Sequence, residues 1–474
     1  MTANPSPEES EPAARWVELV SPSLAPRAAL VLLGIWLNAA DAMVTATIMP
    51  SVARELGGYA YFGWAVAGYL LGSILAGASS GQLAQRLGLR PALVCAALAY
   101  VAGCVMSAAA PSITLFLVGR MLQGVGAGWI VGFCYVAIGV VFPERLWARM
   151  FGAGAAVWGV ASFLGPLVGG VFASAGIWRW AFWMFAGQGL LFAPAVLALL
   201  PARAAADAGD RRPLAWRTLA VLAGAIAAIA AADVTQGAVW PALCLALGLA
   251  LLALAGAVNA APGERLLPRE ALRPTSTAGA GYAMIFAMSI ASAVFGVYGA
   301  AILQTVDGLS PLVAGYVVAV EALGWTVTAL FVSGQPDRRH GALIFAGALA
   351  IAAGVAVLAA FIGTPRVWGV IAGGAIMGGG FGLAWSLTTR RILSALPPED
   401  LAIGAAATPT TQLIGGAVGA AAAGAIANFL GLAHAFTPQR AALTAPWLFA
   451  AFIPIAALGV LAAWRLSRAT GANA

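Results

Sequence analysis

Long apolar runs separated by short polar breaks dominate the chain, and their length sets the architecture. A helix rises 1.5 Å per residue, so about 20 apolar residues cross the roughly 30 Å hydrocarbon layer of a bilayer. Fourteen runs approach or exceed that length: 28–49, 61–83, 91–110, 113–141, 149–172, 179–200, 218–234, 239–258, 278–303, 311–333, 342–362, 367–388, 402–431 and 446–466. The seventh and eighth are the least sharply bounded. The pattern predicts an all-α polytopic membrane protein with 14 transmembrane helices.

An even number of spans puts both chain ends on one side, and arginine placement says which. Arg54, Arg179, Arg366 and Arg440 fall in one set of loops and Arg120 inside a span; the other 19 of 24 basic residues fall in the tails and in the opposite loops. Cytoplasmic loops carry the excess of positive charge, so both termini are expected in the cytoplasm. Residues 1–26, rich in Pro and Glu, lack the basic start and cleavage site of a signal peptide and read as a disordered cytoplasmic tail.

The chain repeats itself. GQLAQRLG after the second span, from Gly81, and GQPDRRHG after the tenth, from Gly334, share Gly, Gln, Arg and Gly at the same offsets. They occupy equivalent places if two extra spans separate two six-helix bundles. Polar stretches at 201–217 and 259–277 bracket that pair. The expected organisation is a tail (1–26), an N-terminal bundle (27–200), a linker (201–217), two inserted helices (218–258), a second linker (259–277), a C-terminal bundle (278–468) and a short cytoplasmic tail (469–474). Two bundles related by an axis along the membrane normal place a substrate site between them near mid-membrane.

Composition narrows the function. Hydrophobic residues make up 62% and charged residues 9%, against about a quarter charged in soluble domains. Cys95, Cys104, Cys134 and Cys244 lie in apolar runs without metal-ligand spacing and are expected as buried free thiols. His340 and His434 are far apart, which leaves no cluster for a metal or a catalytic triad, so neither an enzyme nor a metal site is expected. Every basic residue is arginine, and heavy Ala and Gly usage suggests a GC-rich bacterial genome. The arginines are scattered between spans rather than gathered on one face, which argues against nucleic acid.

Several strings together resemble the fourteen-span drug:proton antiporters of the major facilitator superfamily, over nearly the whole chain. ADAMVTATIMP carries Asp41 in span one. GQLAQRLGLRP, with Gly81, Gln85, Arg86, Gly88 and Arg90, resembles the loop signature between spans two and three. GRMLQGVGAG holds Arg120, Gln123 and Gly124 in span four. LGPLVGG, with Gly165, Pro166, Gly169 and Gly170 in span five, is similar to the signature that implies an antiporter; WRWAFW from Trp178 and LQTVDGLSPLVAG from Leu303 resemble further marks of that branch. Small-residue spacings recur in membrane helix packing; it is their order and span positions that carry the resemblance. Two departures stand out. Gln85 replaces the acid of the loop signature, and span ten carries Glu321 in VVAVEALGW where the family has a proline.

An ionisable group at mid-bilayer costs at least about 2.5 to 3.5 kcal/mol, and Asp41, Arg120 and Glu321 are the three placed deeply. Counted from the outer ends of their spans, they lie about 14, 10 and 15 Å down. Asp41 is the candidate proton carrier with Arg120 tuning its affinity; the alternative is a static ion pair that fixes helix packing. Glu321 is a candidate for a second proton or for attracting a cationic substrate, against a neutral hydrogen-bonding role. Gly165, Pro166, Gly169 and Gly170 read as backbone devices, a packing kink or a seal against proton leak. Trp36, Gln123, Trp158, Gln304 and Trp325 are the candidate cavity residues, although aromatics also anchor helices at the interface.

Two self-sufficient bundles make a monomer the expectation, and the resemblance implies an exporter of lipophilic small molecules (multidrug or antibiotic efflux) in the bacterial inner membrane. It would work by alternating access and use a proton gradient and no cofactor. A metabolite-importing symporter and a transport-inactive scaffold or sensor remain the alternatives.

Overall fold

The computed structural model describes residues 16–57, 59–201, 215–234, 239–261, 263–273, 275–332, 335–397, 400–432 and 436–468. Most of the two expected tails, most of the first linker, Gly334 and His434 lie outside the described residues, as do the side chains of Gln85 and Asp233.

Each apolar run is a helix, and the described residues contain no strand. After a single turn at Trp16–Leu19 come α1 (Ala25–Leu56), α2 (Phe62–Leu87), α3 (Leu89–Ala108), α4 (Ile113–Val141), α5 (Glu144–Ser174), α6 (Arg179–Leu199), α7 (Trp216–Val234) and α8 (Val239–Asn259). Then follow α9 (Thr277–Val306), α10 (Pro311–Val332), α11 (His340–Phe361), α12 (Val367–Ser394), α13 (Leu401–Phe429) and α14 (Pro438–Arg468), the last interrupted at Ala451 and Phe452. Among the described residues thirteen are long and apolar enough to span a bilayer, and the described apolar part of α7 runs over Trp216–Ala232. The whole of α7 still covers about 28 Å at the helical rise.

Side-chain chemistry sets the ends. Ser112, Ser276 and Thr437 accept from the backbone N–H three residues on at the starts of α4, α9 and α14. Gly57, at φ 69°, ends α1 in a left-handed turn. The expected loop GQLAQRLG is instead mostly helical: α2 continues to Leu87, and Gly88 alone, at φ 80°, separates it from α3. Glycine is what permits so abrupt a reversal. Among the thiols, Cys104 and Cys134 are buried as expected, but Cys95 is exposed and Cys244 half-buried. An apolar run at a bilayer has a lipid face, so apolar surroundings do not require burial in protein.

The packing repeats. In the first half α1 packs on α4, α5 and α6, α4 lies against both α2 and α3, and α3 touches α6. In the second half α9 packs on α12, α13 and α14, α12 lies against α10 and α11, and α11 touches α14. The two bundles meet along two seams, α5 with α10 and α2 with α13, while α7 and α8 pack on each other and α7 lies on α13 and α2.

Glycines set these approaches. Gly119, Gly124, Gly126 and Gly128 of α4 and Gly373, Gly378, Gly380 and Gly382 of α12 have the same spacing. A Cβ on Gly124 would run into the Tyr69 carbonyl and one on Gly378 into the Glu321 carbonyl; Gly128 and Gly382 likewise face the carbonyls of Ser73 and Trp325. Close backbone contact of this kind replaces the hydrophobic drive that membrane helices lack.

Away from the chain termini, an aromatic cluster bridges the bundles. Tyr59 stacks on Phe436 at 5.2 Å, and Phe62 meets Tyr298 and Phe436 edge-on at 5.6 and 6.1 Å. Phe62 and Tyr298 are fully buried. We call this the far face, and the opposite one the termini face.

Candidate functional site

Arg120 and Gln123 lie three residues apart on α4 and so share a face, as do Asp41 and Thr45 on α1. The two faces meet. Arg120 Nη1 donates to Asp41 Oδ1 at 2.8 Å and to Gln123 Oε1 at 2.9 Å, and Gln123 Nε2 donates to Asp41 Oδ2 at 2.8 Å, closing a ring of three side chains. Thr45 adds a third donor to the carboxylate, 3.0 Å from Oδ1. Three donors and no acceptor face Asp41, which is the arrangement of an ionised carboxylate. Asp41 and Gln123 are 0% exposed and Arg120 2%, so neither water nor lipid reaches the ring in this state.

Burying a full ion pair requires compensation beyond the pair itself. Part of it comes from aromatic faces: the Arg120 guanidinium lies 4.3 Å from the centre of the Tyr69 ring and 6.0 Å from that of Phe182. Tyr69 is held in turn by Asn38, whose Nδ2 donates to its hydroxyl at 3.1 Å. Gly103 on α3 makes room, since a Cβ there would lie 2.6 Å from Gln123 Cα. Arg120 Nε is buried without a partner among the described residues. Tyr69, Thr45 and Asn38 were not singled out from sequence. Each is an isolated polar residue in an apolar run, and only the helix packing shows which of them point inward.

Glu321 does not join this ring. It lies on α10 in the other bundle, half-buried, and no described residue donates a hydrogen bond or salt bridge to it. Its place is nevertheless related. Glu321 faces Gly378 as Tyr69 faces Gly124, so Glu321 occupies the position in the second bundle that Tyr69 holds in the first. By the same register Arg120 corresponds to Gly374 and Gln123 to Met377. The α1/α5 and α9/α13 crossings match too: Gly165 meets Met43 and Gly169 meets Val44 and Thr47, while Gly415 meets Ser289 and Gly419 meets Ile290 and Ala293. Asp41 therefore corresponds to Ala287. One backbone frame carries an acid, a base and a carboxamide in one half and a lone acid in the other.

The LGPLVGG string sits where three helices cross. Gly165 and Gly169 pack on α1, and a Cβ on Gly170 would lie 2.6 Å from Leu312 Cα of α10. Pro166 meets Gly315 of α10, whose Cβ would also contact Thr47. The motif expected as a packing kink or a seal is thus also a contact between the bundles, which any relative rotation of them must pass through. Gly81 lies within α2, Arg86 is exposed at its end, and half-buried Arg90 donates to the Leu197 carbonyl of α6.

The other cavity candidates have separate surroundings. Trp36 Nε1 donates to Gln188 on α6 at 3.2 Å. Trp158 is exposed on α5. Trp325 stacks on Phe381 at 5.0 Å and 6° and lies 5.7 Å from Trp385, so one of its faces is occupied. Gln304 has a buried Nε2 without a partner among the described residues. Just beyond the span, burial raises the Asp307 carboxyl above the usual carboxylate range. No group of three His, Cys, Asp or Glu among the described residues converges to hold a metal.

Two repeated helical bundles, two seams between them and a buried acid–base pair on an inner helix define a secondary transporter rather than an enzyme. Comparison with known proteins agrees. The Major Facilitator Superfamily model matches residues 31–212. A probable multidrug-efflux transporter of Mycobacterium tuberculosis is 31% identical over 467 residues, covering 95% of this chain and 96% of its own. The multidrug transporter protein MdtP of Bacillus subtilis is 29% identical over 161 residues, 34% of this chain and 30% of its own. Among solved structures, an inward-facing bacterial homolog of the human lysosomal transporter Spinster superposes with a TM-score of 0.67 at 15% identity, covering 94% of this chain and 98% of that one. A D-xylose-proton symporter superposes with a TM-score of 0.65 at 17% identity, covering 94% and 97%. The chain belongs to the major facilitator superfamily.

Proposed function

We propose that this protein is a proton-coupled antiporter that exports lipophilic small molecules across the bacterial inner membrane by alternating access, with both termini in the cytoplasm. The observation that carries the coupling is the sealed Asp41–Arg120–Gln123 ring. A proton arriving at Asp41 cancels its charge and adds an O–H donor to a site faced by donors, which weakens the charge-assisted bonds from Arg120, Gln123 and Thr45. Arg120 then loses its counter-ion inside a dry bundle, where breaking such a pair costs about 3 to 5 kcal/mol. That cost gives protonation a direct lever on how α1 packs against α4, and α1 also touches α10 of the other bundle. Proton binding and bundle rotation are linked through one helix. Efflux as the direction is supported by the two multidrug transporters that resemble the chain, and the orientation by the arginine asymmetry.

The test is substrate-driven proton movement in proteoliposomes, with a pH-sensitive dye inside and lipophilic dyes and antibiotics outside. Proton flux opposite to the substrate, abolished in Asp41→Asn while substrate exchange persists, is the expected result. Flux in the same direction would make the protein an importer, and pH-driven transport retained by Asp41→Asn would remove Asp41 from the coupling role.

A further inference from the structure

A groove runs along the outer wall of the first bundle, in the half nearer the termini face. The faces of α5 divide the work. Gly154, Gly165 and Gly169 press on α1, and Pro166 and Gly170 meet α10. Gly152, Ala156 and Val160 fall on the remaining side and are exposed. On α1, Leu30, Val31 and Ile35 are buried in the bundle, while Leu32, Leu33 and Trp36 beside them are half-buried. Trp36 donates to Gln188 of α6, and α6 packs on α1, α3 and α5. This side of α1 therefore looks outward between α5 and α6, away from the second bundle. Trp36, expected from sequence in the central cavity, lines this outer groove instead.

The groove is apolar along its length and carries one charge at its mouth. Leu32, Leu33 and Trp36 of α1 and Ala156, Val157 and Val160 of α5 border about 690 Å³, with Trp16 at the termini end. That volume lies within the range of roughly 300 to 1,000 Å³ typical of small-ligand sites. From Arg149 to Val160 the helix rises about 17 Å, a little over half of the roughly 30 Å hydrocarbon layer, so the groove has the depth of one leaflet. No charged residue occurs on α5 from Met150 to Ser174. Arg149 stands one turn before Gly152, whose Cβ would lie 3.7 Å from the Trp16 ring, and its guanidinium is 5.7 Å from the centre of that ring. Arg149 Nε is buried without a partner, and among the described residues no carboxylate pairs with the guanidinium.

We propose that this groove is a binding site for one anionic glycerophospholipid of the leaflet on the termini face, an acyl chain lying along α1 and α5 and the phosphate resting on Arg149. Charge and depth together select that occupant. An outward-facing groove at this level meets lipid, its walls offer an acyl chain nothing but hydrocarbon and an indole, and the one ionic group at its mouth is a cation. A guanidinium presents a planar fork of donors that matches phosphate oxygens, and an indole at the headgroup level tolerates both the chain and the water beside it. The net negative headgroup follows from Arg149 lacking a carboxylate partner, which leaves its charge to be neutralised by the ligand. Such a lipid is a brace, not a transported substrate, and the inference is independent of the direction of transport. It spans α1, which carries Asp41, and α5, which carries the LGPLVGG contact with the second bundle, so its binding stabilises the packing of those two helices by mass action.

The experiment fills the groove and removes the charge separately. The full-length protein, purified in detergent and stripped of lipid, is titrated with phosphatidylglycerol, with phosphatidylcholine of the same chains, and with inorganic phosphate. Native mass spectrometry counts the bound lipid, and the thermal midpoint reports its effect. Phosphatidylglycerol should bind at one saturable site and raise the midpoint, with phosphatidylcholine about fivefold weaker. Arg149→Gln should weaken phosphatidylglycerol about fivefold, the worth of one arginine at a membrane surface, and change phosphatidylcholine less. Ala156→Trp and Val160→Trp each place an indole in the groove from an exposed position, so whichever variant folds should weaken both lipids about tenfold. Val171→Trp adds the same bulk to an exposed position of α5 beyond the groove and should change neither. Undiminished phosphatidylglycerol binding with the groove filled would overturn the site. Equal affinity for the two lipids would reduce it to unselective contact with the bilayer and overturn the anionic ligand. Protection by inorganic phosphate equal to that by phosphatidylglycerol would assign Arg149 to a free anion and overturn the lipid.

Discussion

The two bundles share a frame and differ in chemistry. In both, an inner helix threaded with Gly-x4-Gly-x-Gly-x-Gly presses against a neighbour's carbonyls, and in both a Gly-x3-Gly pair locks the fifth helix of the bundle to its first. The first bundle fills that frame with Asp41, Arg120, Gln123 and Tyr69. At the corresponding places the second has Ala287, Gly374, Met377 and Glu321. Packing is thus duplicated while the charge pair is not, and a carboxylate that is paired in one half stands alone in the other. The difference teaches that the frame does not need the ion pair, so the pair calls for an explanation in function.

The largest test of that contrast is Arg120→Ala. It leaves Asp41 buried without its counter-charge, and removing one partner of a buried pair destabilises by about 3 to 5 kcal/mol. The thermal midpoint of the purified protein in detergent should fall sharply, and Asp41→Asn introduced together with Arg120→Ala should restore part of the loss by removing the stranded charge. Equal midpoints for Arg120→Ala and the double variant would show that the Asp41 carboxylate is not stranded by loss of Arg120, and additivity with Asp41→Asn measured alone would show that the two residues are not energetically coupled.

The shared frame predicts a smaller and symmetrical effect. Gly124→Leu and Gly378→Leu each force a side chain into a neighbouring backbone carbonyl, where overpacking costs about 1 to 3 kcal/mol. The two should lower the thermal midpoint by similar amounts. A loss confined to one half would mean that only that bundle depends on close backbone approach.

How much of this could be read beforehand follows from the physics of each feature. Span lengths were legible because a bilayer imposes a length on every helix, and among the described residues thirteen helices meet it. Asp41 and Arg120 stood out because charges in hydrocarbon are costly enough to be rare. Their pairing follows the expectation from equal depth and opposite charge, and the structure makes it at 2.8 Å; depth alone does not say which faces turn toward each other, and Glu321, at similar depth, turns into another bundle. Tyr69 was invisible for a related reason. Its role depends on lying beneath a guanidinium from a helix some fifty residues away. The repeat was glimpsed in one loop string and is far clearer in the α4 and α12 glycines, where spacing is kept and every intervening side chain differs.

The smallest effect on stability is expected from Glu321→Gln. Glu321 has no partner among the described residues, so replacing its carboxyl by an isosteric amide breaks no ion pair, and the thermal midpoint should move by less than about 1 kcal/mol of stability. Transport should respond differently from stability. If the lone acid attracts a cation or carries a second proton, ethidium uptake should fall about tenfold, equivalent to 1.4 kcal/mol, or the number of protons moved per substrate should drop. A fall in stability as large as that of Arg120→Ala would reveal a partner for Glu321 and erase the contrast between the bundles. Unchanged stability together with unchanged selectivity and stoichiometry would leave Glu321 a bystander and place all the titrating chemistry in the first half.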